Sequence, residues 1–241
     1  MTRVALVTGG TRGIGRAIVE GLKADGMLVA AGYSGNEAAA AACARELGVF
    51  VVKGNVGNFA DCKHAAEAVE RELGPIDVLV NNAGITRDGA FHKMTSEQWS
   101  EVIRVNMDSL FNMTRQVSEG MRERGWGRII NISSINGQKG QAGQTNYSAA
   151  KAGMIGFTKA LALENAKKGV TVNCICPGYI DTDMVQAVPE KVLEGIIAQI
   201  PVGRLGRGDE IADMVAFLAG ERAGYVTGAT LALNGGQYMV G

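Results

Sequence analysis

The chain has few cysteines and histidines, and this shortage limits the metal sites and disulfides that it could form. Its 241 residues include 4 cysteines and 2 histidines, and no spacing among them is that of a zinc site. We therefore predict no metal site and four free, buried thiols. Cys174 and Cys176 form a C-x-C pair in a predicted strand, and we expect their thiols to point to opposite faces of the sheet.

The sequence also lacks an excess of either charge and any long apolar run. It carries 24 basic and 24 acidic residues, so its formal net charge is zero. This balance argues against a nucleic-acid or anionic-membrane surface as partner. No apolar run approaches the roughly 20 residues that cross a bilayer. The N-terminus enters a strand directly, without the pattern of a signal peptide, and we expect a cytoplasmic location.

Short apolar runs alternate with segments of helical periodicity from one end of the chain to the other. This alternation is typical of βαβ units, and predicts an α/β fold with a parallel sheet and helices on both faces. The length suits a single domain spanning residues 1–241. The less regular stretch 181–207 predicts a lid over a substrate site. Seven strands are predicted, at residues 3–8, 27–33, 50–56, 77–80, 128–133, 170–176 and 229–233.

A glycine-rich loop follows the first strand and opens a helix. Glycine allows a tight turn and lets backbone N–H groups approach a pyrophosphate at a helix N-terminus. The spacing here, G-x-x-x-G-x-G, differs from the usual G-x-G-x-x-G, but its place between strand and helix indicates a doubly wound Rossmann fold that binds a dinucleotide. The residues predicted to contact the cofactor in this loop are Gly9, Thr11, Arg12, Gly13, Ile14 and Gly15.

The ends of the next strands predict which dinucleotide binds. An acid at the end of the second strand usually meets a free ribose 2′-hydroxyl, but here Tyr33 and Ser34 are followed by no acid until Glu37. Arg12 could instead pair with a 2′-phosphate, so we predict NADPH/NADP. The end of the third strand, residues 54–56, is expected to place an amide against the adenine ring. Small and amide residues after the third and fourth strands complete the predicted cofactor contacts: Gly54, Asn55, Val56, Asn82, Ala83, Gly84 and Ile85.

Three side chains after the fifth strand can carry chemistry together. Tyr147 and Lys151 are four residues apart, and therefore lie on one face of a helix. A phenol with a pKa of about 10 is a poor acid–base catalyst at neutral pH unless a cation stabilises its phenolate. We expect Lys151 to be that cation and to lower the pKa of Tyr147. Ser134 lies where the strand ends, at the edge of the sheet that forms ligand crevices.

With these motifs in order, the whole chain resembles the short-chain dehydrogenase/reductase family. The resemblance rests on the glycine loop, on Tyr147-x-x-x-Lys151 with Ser134 thirteen residues before the tyrosine, and on three further motifs: Asn81-Asn82-Ala83-Gly84, Asn106 and Pro177-Gly178. Two branches of the family share the stretch NNAGITRD at residues 81–88. They are the acetoacetyl-CoA reductases and the 3-oxoacyl-(acyl carrier protein) reductases.

The stretch 136–141, NGQKGQ, is most similar to the acetoacetyl-CoA reductase branch. This resemblance implies NADPH-dependent reduction of acetoacetyl-CoA to (R)-3-hydroxybutyryl-CoA for polyhydroxybutyrate synthesis, with the carrier-protein reductase as the alternative. The chain departs from the branch at two points. Ala142 stands where a bulkier apolar residue can occur, and the segment after the second strand lacks an arginine that some members place near the 2′-phosphate.

The resemblance also implies roles for individual residues. Tyr147 would be the general acid, Lys151 would hold the nicotinamide ribose, Ser134 would bond the substrate oxygen, and Asn106 would stabilise a proton-relaying water. The nicotinamide would meet Pro177, Gly178, Ile180 and Thr182. The substrate, an acyl-CoA thioester, would meet Asp88, Ser134, Gln141, Gln144, Tyr147, Gly178 and Tyr179. A homotetramer would form through the helices predicted at residues 108–124 and 145–164.

Overall fold

A computed structural model of the chain describes residues 2–186 and 188–239. Its centre is a seven-stranded sheet of order β3-β2-β1-β4-β5-β6-β7, in which all neighbouring strands are parallel. The predicted fold class is therefore confirmed. The strands are β1 Val4–Val7, β2 Leu28–Tyr33, β3 Phe50–Lys53, β4 Ile76–Asn81, β5 Gly127–Ile132, β6 Val170–Pro177 and β7 Thr230–Leu233.

Helices cover both faces of the sheet, because every parallel strand pair needs a crossover connection. Two of the helices, at the start and near the end of the chain, pack against each other on one face, whereas three others cover the opposite face. The helices are α1 Gly13–Ala24, α2 Glu37–Leu47, α3 Phe59–Leu73, α4 Ser96–Ile103, α5 Ser109–Arg124, α6 Asn136–Lys139, α7 Thr145–Asn165, α8 Asp183–Gln186, α9 Glu190–Ile197 and α10 Gly208–Ala219.

The core is built from strands that are buried along their whole length. β1, β4, β5 and β6 are buried at every position, as expected of parallel strands covered on both faces. On one face α1 and α10 contribute Ile18, Leu22 and Val215 to the core. On the other, α3 and α5 contribute residues such as Val69 and Met113. This packing fixes the strand ends that carry the site.

The strand order places a crevice at the carboxyl end of β1. From β1 the chain winds outwards to β2 and β3, and it then returns to β4 on the other side of β1. Ligands of open α/β sheets bind at such a switch point, outside the carboxyl ends of the strands. The glycine loop after β1 and the loops after β4, β5 and β6 meet there.

The prediction for the C-x-C pair was wrong. Cys174 and Cys176 lie in the same apolar cluster, with Leu110 and Met154, on one face of β6. The reason is geometric, since side chains alternate along a strand and residues two apart share a face. All four cysteines are buried and free.

Other boundaries differ by a few residues. β3 ends at Lys53, whereas the sequence predicted a strand to residue 56, because the chain turns after Gly54 into α3. The helices predicted at 96–105 and 108–124 are joined by a π-helical turn at Arg104–Asp108. The predicted lid contains α8 and α9, and its residue Ala187 lies outside the described residues. Within the described ranges, no helix is both long enough and apolar enough to cross a membrane.

Candidate active site

The loop after β1 is folded tightly enough for a phosphate to reach its backbone. Gly9 and Gly13 have positive φ angles of 63° and 53°, a region that side chains other than glycine rarely adopt. At Gly15, an added Cβ atom would clash with the carbonyl oxygen of Gly9. The two positive φ angles and this close approach explain why glycine stands at all three positions.

The N-terminus of α1 is arranged to receive an anion. Arg12 precedes it in extended conformation without capping the helix through its side chain, and no acidic residue lies in the first turn. The nearest neighbour of a Cβ placed on Gly13 would be Cγ2 of Thr182, at 3.7 Å. Free first-turn N–H groups facing open space fit the pyrophosphate of a dinucleotide. Thr11 is buried in the loop and Ile14 is half-buried.

The loop after β4 is tied to the glycine loop. The hydroxyl of Thr8 accepts hydrogen bonds from the N–H groups of Asn82 and Ala83, at 3.0 Å each. The side-chain amide of Asn82 donates in return to the carbonyl oxygens of Thr8 and Gly9, at 2.9 and 3.1 Å. Asn82 therefore supports the glycine loop with its side chain, while the cofactor contacts of Ala83 and Gly84 stay predictions.

The end of β2 contains a charged network that sequence reasoning missed. The hydroxyl of Tyr33 donates to Oε2 of Glu37 at 2.8 Å, and Nζ of Lys53 donates to Oε1 of the same carboxylate at 2.6 Å. Lys53 is the main cause that lowers the pKa of Glu37. An acid therefore does stand near the predicted ribose position, but a lysine neutralises it. The network forms because β2 pairs with β3, which places Tyr33 opposite Lys53. This pairing is not visible in the sequence.

The end of β3 was predicted to meet the adenine ring. Asn55 uses its Oδ1 to accept a hydrogen bond from the N–H of Gly57 at 2.9 Å, and its own N–H donates to Asp61 at 3.1 Å. The carbonyl oxygen of Val56 accepts from Asn112 at 2.9 Å. These bonds fix the turn at Gly54–Val56 beside the crevice, and the adenine contact stays a prediction.

The structure brings the three predicted catalytic side chains together. Nζ of Lys151 lies 5.5 Å from the centroid of the Tyr147 ring and donates to the carbonyl oxygen of Ile132 at 2.8 Å. Oγ of Ser134 accepts a hydrogen bond from the N–H of Asn136 at 3.1 Å, and the Ser134 hydroxyl also bonds the Tyr147 phenol. The helices α6 and α7 pack closely at this point, since a Cβ on Gly137 would lie 2.7 Å from the backbone of Lys151.

The expectation that Lys151 lowers the pKa of Tyr147 was wrong for the protein alone. Burial raises the pKa of Tyr147 to about 12. The charge of Asp88 also raises this pKa, whereas the hydrogen bond with Ser134 lowers it. Burial also lowers the pKa of Lys151 to about 8. Desolvation disfavours both charged forms, and it is the largest cause of each shift. Tyr147 is therefore held in its neutral, proton-donating form.

Asn106 lies buried behind the loop after β4. Its Nδ2 donates to the carbonyl oxygens of Ile85 and Val102, both at 2.9 Å, and its Oδ1 accepts from the N–H of Ile85 at 3.3 Å. A Cβ on Gly84 would lie 2.6 Å from this oxygen and 3.6 Å from Nζ of Lys151. The side chain therefore holds the backbone of Ile85 in place, and its part in a water relay stays a prediction.

The loop after β6 runs along the opposite side of the crevice. Gly178 donates its N–H to Leu233 at 2.9 Å, and a Cβ there would lie 2.9 Å from Asn234. Ile180 is buried in the core, so only its backbone can face a ligand. Pro177 ends β6, and Thr182 lies beside the glycine loop. The predicted nicotinamide contacts thus share one loop, in which Gly178 is also required for packing on the C-terminal segment.

Two of the predicted substrate residues contact each other. Nε2 of Gln144 donates to Oδ2 of Asp88 at 2.8 Å. Tyr179 lies close enough to Asp88 for the carboxylate to add to the rise that burial causes in its pKa. Gln141 is exposed, and it meets Gln144 through the backbone, because its carbonyl oxygen accepts the N–H of Gln144 at 3.0 Å. Arg87, next to Asp88 in the same loop, forms an ion pair with Glu101 at 2.8 Å.

Two asparagines around the site were missed by sequence reasoning. Asn146 is fully buried, accepts a hydrogen bond from the N–H of Tyr147 at 2.8 Å and donates to the carbonyl oxygen of Arg87 at 3.1 Å. Asn136 donates to Gln144 at 2.9 Å. The sequence did offer a signal for each. Asn146 is an amide directly before the catalytic tyrosine, and Asn136 is an amide two positions after the catalytic serine.

Comparison with known proteins agrees with this geometry. Residues 3–193 match the model of the short chain dehydrogenase family. The acetoacetyl-CoA reductase of Shinella zoogloeoides is 63% identical over 241 residues, which is 100% of both chains. That of Rhizobium meliloti (strain 1021) is 63% identical over 240 residues, 99% of this chain and 100% of the relative. The 3-oxoacyl-(acyl-carrier-protein) reductase FabG of Escherichia coli (strain K12) is 48% identical over 241 residues, 99% and 98% of the two chains.

Proposed function

The chain belongs to the short chain dehydrogenase family, and from this premise we propose that it reduces the 3-keto group of acetoacetyl-CoA with NADPH. The product is (R)-3-hydroxybutyryl-CoA, the precursor of polyhydroxybutyrate. The observation that carries the proposal is the site itself, in which Ser134, Tyr147 and Lys151 converge beside a glycine loop built for a dinucleotide. The names of the relatives that are 63% identical support the substrate.

NADPH supplies the hydride when it is bound, and the protein supplies the proton and the orientation. The glycine loop and the N-terminus of α1 would hold the pyrophosphate, and residues of the loops after β4 and β6 would contact the nicotinamide half. The Ser134 hydroxyl would donate a hydrogen bond to the 3-keto oxygen, while the N–H of Asn136 holds its oxygen in place. Negative charge grows on that keto oxygen during reduction, and a fixed donor there lowers the barrier.

Tyr147 donates the proton to the forming alkoxide as general acid. Its raised pKa keeps the phenol neutral at physiological pH, and the phenol therefore carries the proton that reduction consumes. The buried ammonium of Lys151 lies 5.5 Å from the ring centroid and stabilises the phenolate left after proton transfer.

The pH dependence of reduction should report Lys151. Because its folded pKa is lowered to about 8, the ammonium is charged below that pH and is lost above it. We expect kcat/KM to be flat from about pH 6 to 7.5 and to fall about tenfold per pH unit above 8. Initial rates of NADPH oxidation in constant-ionic-strength buffers would measure this. A profile that stays flat to pH 10 would show that the charged ammonium is not required.

The NADPH preference rests on two cations at the adenosine end. Arg12 is exposed beside the glycine loop, and Lys53 lies by Tyr33 with its charge shared by Glu37. We expect Arg12→Ala to lower kcat/KM with NADPH by about tenfold to fiftyfold and to leave kcat/KM with NADH within a factor of about two, because only NADPH carries the 2′-phosphate. Equal losses with both coenzymes would assign Arg12 to the pyrophosphate instead.

The alternative function is reduction of a 3-oxoacyl thioester carried on acyl carrier protein. That function requires a basic surface near the cleft, because carrier proteins are acidic. The basic residues that could provide it are Arg122, Arg124, Arg128 and the Lys167–Lys168 pair. Arg128 is buried at the start of β5, and Arg124 binds the carbonyl oxygen of Ile76 at the start of β4. Both strands begin at the edge of the sheet opposite the crevice, so these two cations cannot form a docking patch beside the site.

A direct comparison of the two thioesters tests the proposed function. Purified protein is assayed with NADPH and either acetoacetyl-CoA or acetoacetyl-(acyl carrier protein), and kcat/KM is determined for each. We expect the CoA thioester to be favoured by at least about tenfold. A preference of the same size for the carrier-protein thioester would select the alternative.

The remaining proposals concern assembly and closure. We propose a homotetramer that buries the exposed faces of α5 and α7, where Phe111 and Leu163 are 57% and 84% exposed. We also propose that α8 and α9 close over the substrate, since α9 buries none of its side chains. The cytoplasmic location and the single-domain organisation stay predictions.

A further inference from the structure

Asn136 occupies a junction between the catalytic serine and the substrate loops. It lies two residues after Ser134, at the start of the short helix α6, and is 8% exposed. Its backbone N–H donates to Oγ of Ser134 at 3.1 Å, and its Nδ2 donates to Oε1 of Gln144 at 2.9 Å. Gln144 in turn donates through Nε2 to Oδ2 of Asp88 at 2.8 Å. One continuous chain of hydrogen bonds thus joins the loops after β4 and β5.

The direction of these hydrogen bonds is determined by the carboxylate at one end. A carboxylate oxygen can only accept, and Gln144 turns its NH₂ group toward Asp88 and its oxygen toward Asn136. Asn136 must then present its NH₂ group to Gln144. The remaining atom, Oδ1 of Asn136, is buried and has no partner among the described residues. The amide orientation is therefore set from the Gln144 side.

The chain of bonds spans the part of the crevice that receives the substrate. Asp88 lies near the phenols of both Tyr147 and Tyr179, and its charge acts on each. A backbone bond from Gly89 to Gly143, at 2.8 Å, joins the same two loops one residue away from Asp88 and Gln144. Rotation of Gln144 would release Asp88 and leave this bond alone to hold one loop against the other.

We propose that Asn136 is a positioning residue whose directional hydrogen-bond relay through Gln144 to Asp88 holds the substrate wall of the site in place. The relay acts on thioester binding more than on the chemical step, because Ser134 is held by the backbone of Asn136 and not by its side chain. This inference rests on the proposed function, since it assigns the relay to the substrate of that reaction.

Reversing the polarity of the relay tests it. In Asn136→Asp, the new carboxylate can only accept, so Gln144 faces an acceptor at both ends and one of its contacts is lost. In the double variant D88N/N136D, Gln144 can turn over. The amide introduced at position 88 then donates to the oxygen of Gln144, and the carboxylate introduced at position 136 accepts from its NH₂ group.

The double variant is also matched to wild type in charge, because it moves one carboxylate from position 88 to position 136. Asp88 and Asn136 share no hydrogen bond with each other in the described part of the chain, and each bonds Gln144. Hydrogen-bond coupling between the two substitutions therefore passes through Gln144.

The measurements are kcat and KM for acetoacetyl-CoA, with thermal unfolding to show that each variant is folded. We expect N136D to raise KM about twentyfold with kcat within about threefold of wild type, and D88N to raise KM about threefold. The double variant should return KM to about the D88N value. Independent effects of the two substitutions would instead multiply and raise KM about sixtyfold.

The relay would be overturned if the increases in KM multiplied in the double variant. It would also be overturned if N136D lowered kcat and left KM unchanged. These results remain distinct from failure of the proposed function. If wild-type protein did not reduce acetoacetyl-CoA, the proposed function would be wrong, whereas active wild-type protein without rescue in the double variant would remove only the inference.

Discussion

Replacing Tyr147 with phenylalanine is expected to lower kcat by about 10³-fold, within the range of about 10² to 10⁴ that general acid catalysis contributes. The ring stays in place, so the loss reports the missing phenol proton. In the structure this phenol lies beside Ser134 and the buried ammonium of Lys151, and burial holds it in its neutral form. The measurement is kcat for acetoacetyl-CoA at saturating NADPH.

Two controls accompany this variant. The dissociation constant for NADPH, measured by fluorescence, should change by less than about threefold, because the substitution removes one hydroxyl and leaves the glycine loop untouched. The melting temperature should change little, since the aromatic ring that packs in the site is retained. Turnover within a few-fold of wild type would contradict the assignment of Tyr147 as proton donor.

Replacing Gly15 with alanine is expected to weaken NADPH binding by about 100-fold or more, because the loop that approaches the pyrophosphate would have to move. The added Cβ would clash with the carbonyl oxygen of Gly9 and would lie 2.5 Å from Nδ2 of Asn82. Neither the backbone nor this side chain can yield without displacing the loop. Isothermal titration with NADPH measures the loss directly.

A matched glycine provides the control for that experiment. Gly195, in α9, has no heavy atom within 4 Å of an added Cβ and no positive φ angle. Gly195→Ala should therefore bind NADPH as wild type does, and it should be as stable or slightly more stable because alanine favours helix. Equal affinities for Gly15→Ala and wild type would show that the loop does not carry the cofactor.

The sequence predicted the fold well because its signals were local. Seven apolar runs of branched residues alternate with segments of helical periodicity, and each became a strand of the parallel sheet. The Tyr147–Lys151 spacing likewise required only the helical repeat. The C-x-C prediction failed for a simple reason, a misapplied strand period, because Cys174 and Cys176 share a face.

Contacts between segments far apart in the chain could not be predicted from the sequence. Lys53 meets Glu37 only because β3 pairs with β2, and Asn136 meets Gln144 only because the loop folds back on itself. The pKa of Tyr147 is a further case. A cation four residues away was visible in the sequence, whereas the burial that raises the pKa of Tyr147 depends on the packing of the whole site.

The most direct test of the account is a stoichiometric reaction of the wild-type protein with NADPH and acetoacetyl-CoA, followed at the nicotinamide absorbance. We expect one NADPH to be oxidised for each thioester consumed, with a 3-hydroxyacyl-CoA as the product. An unchanged absorbance in the presence of acetoacetyl-CoA, from protein that binds NADPH, would contradict the claim that this site reduces that thioester.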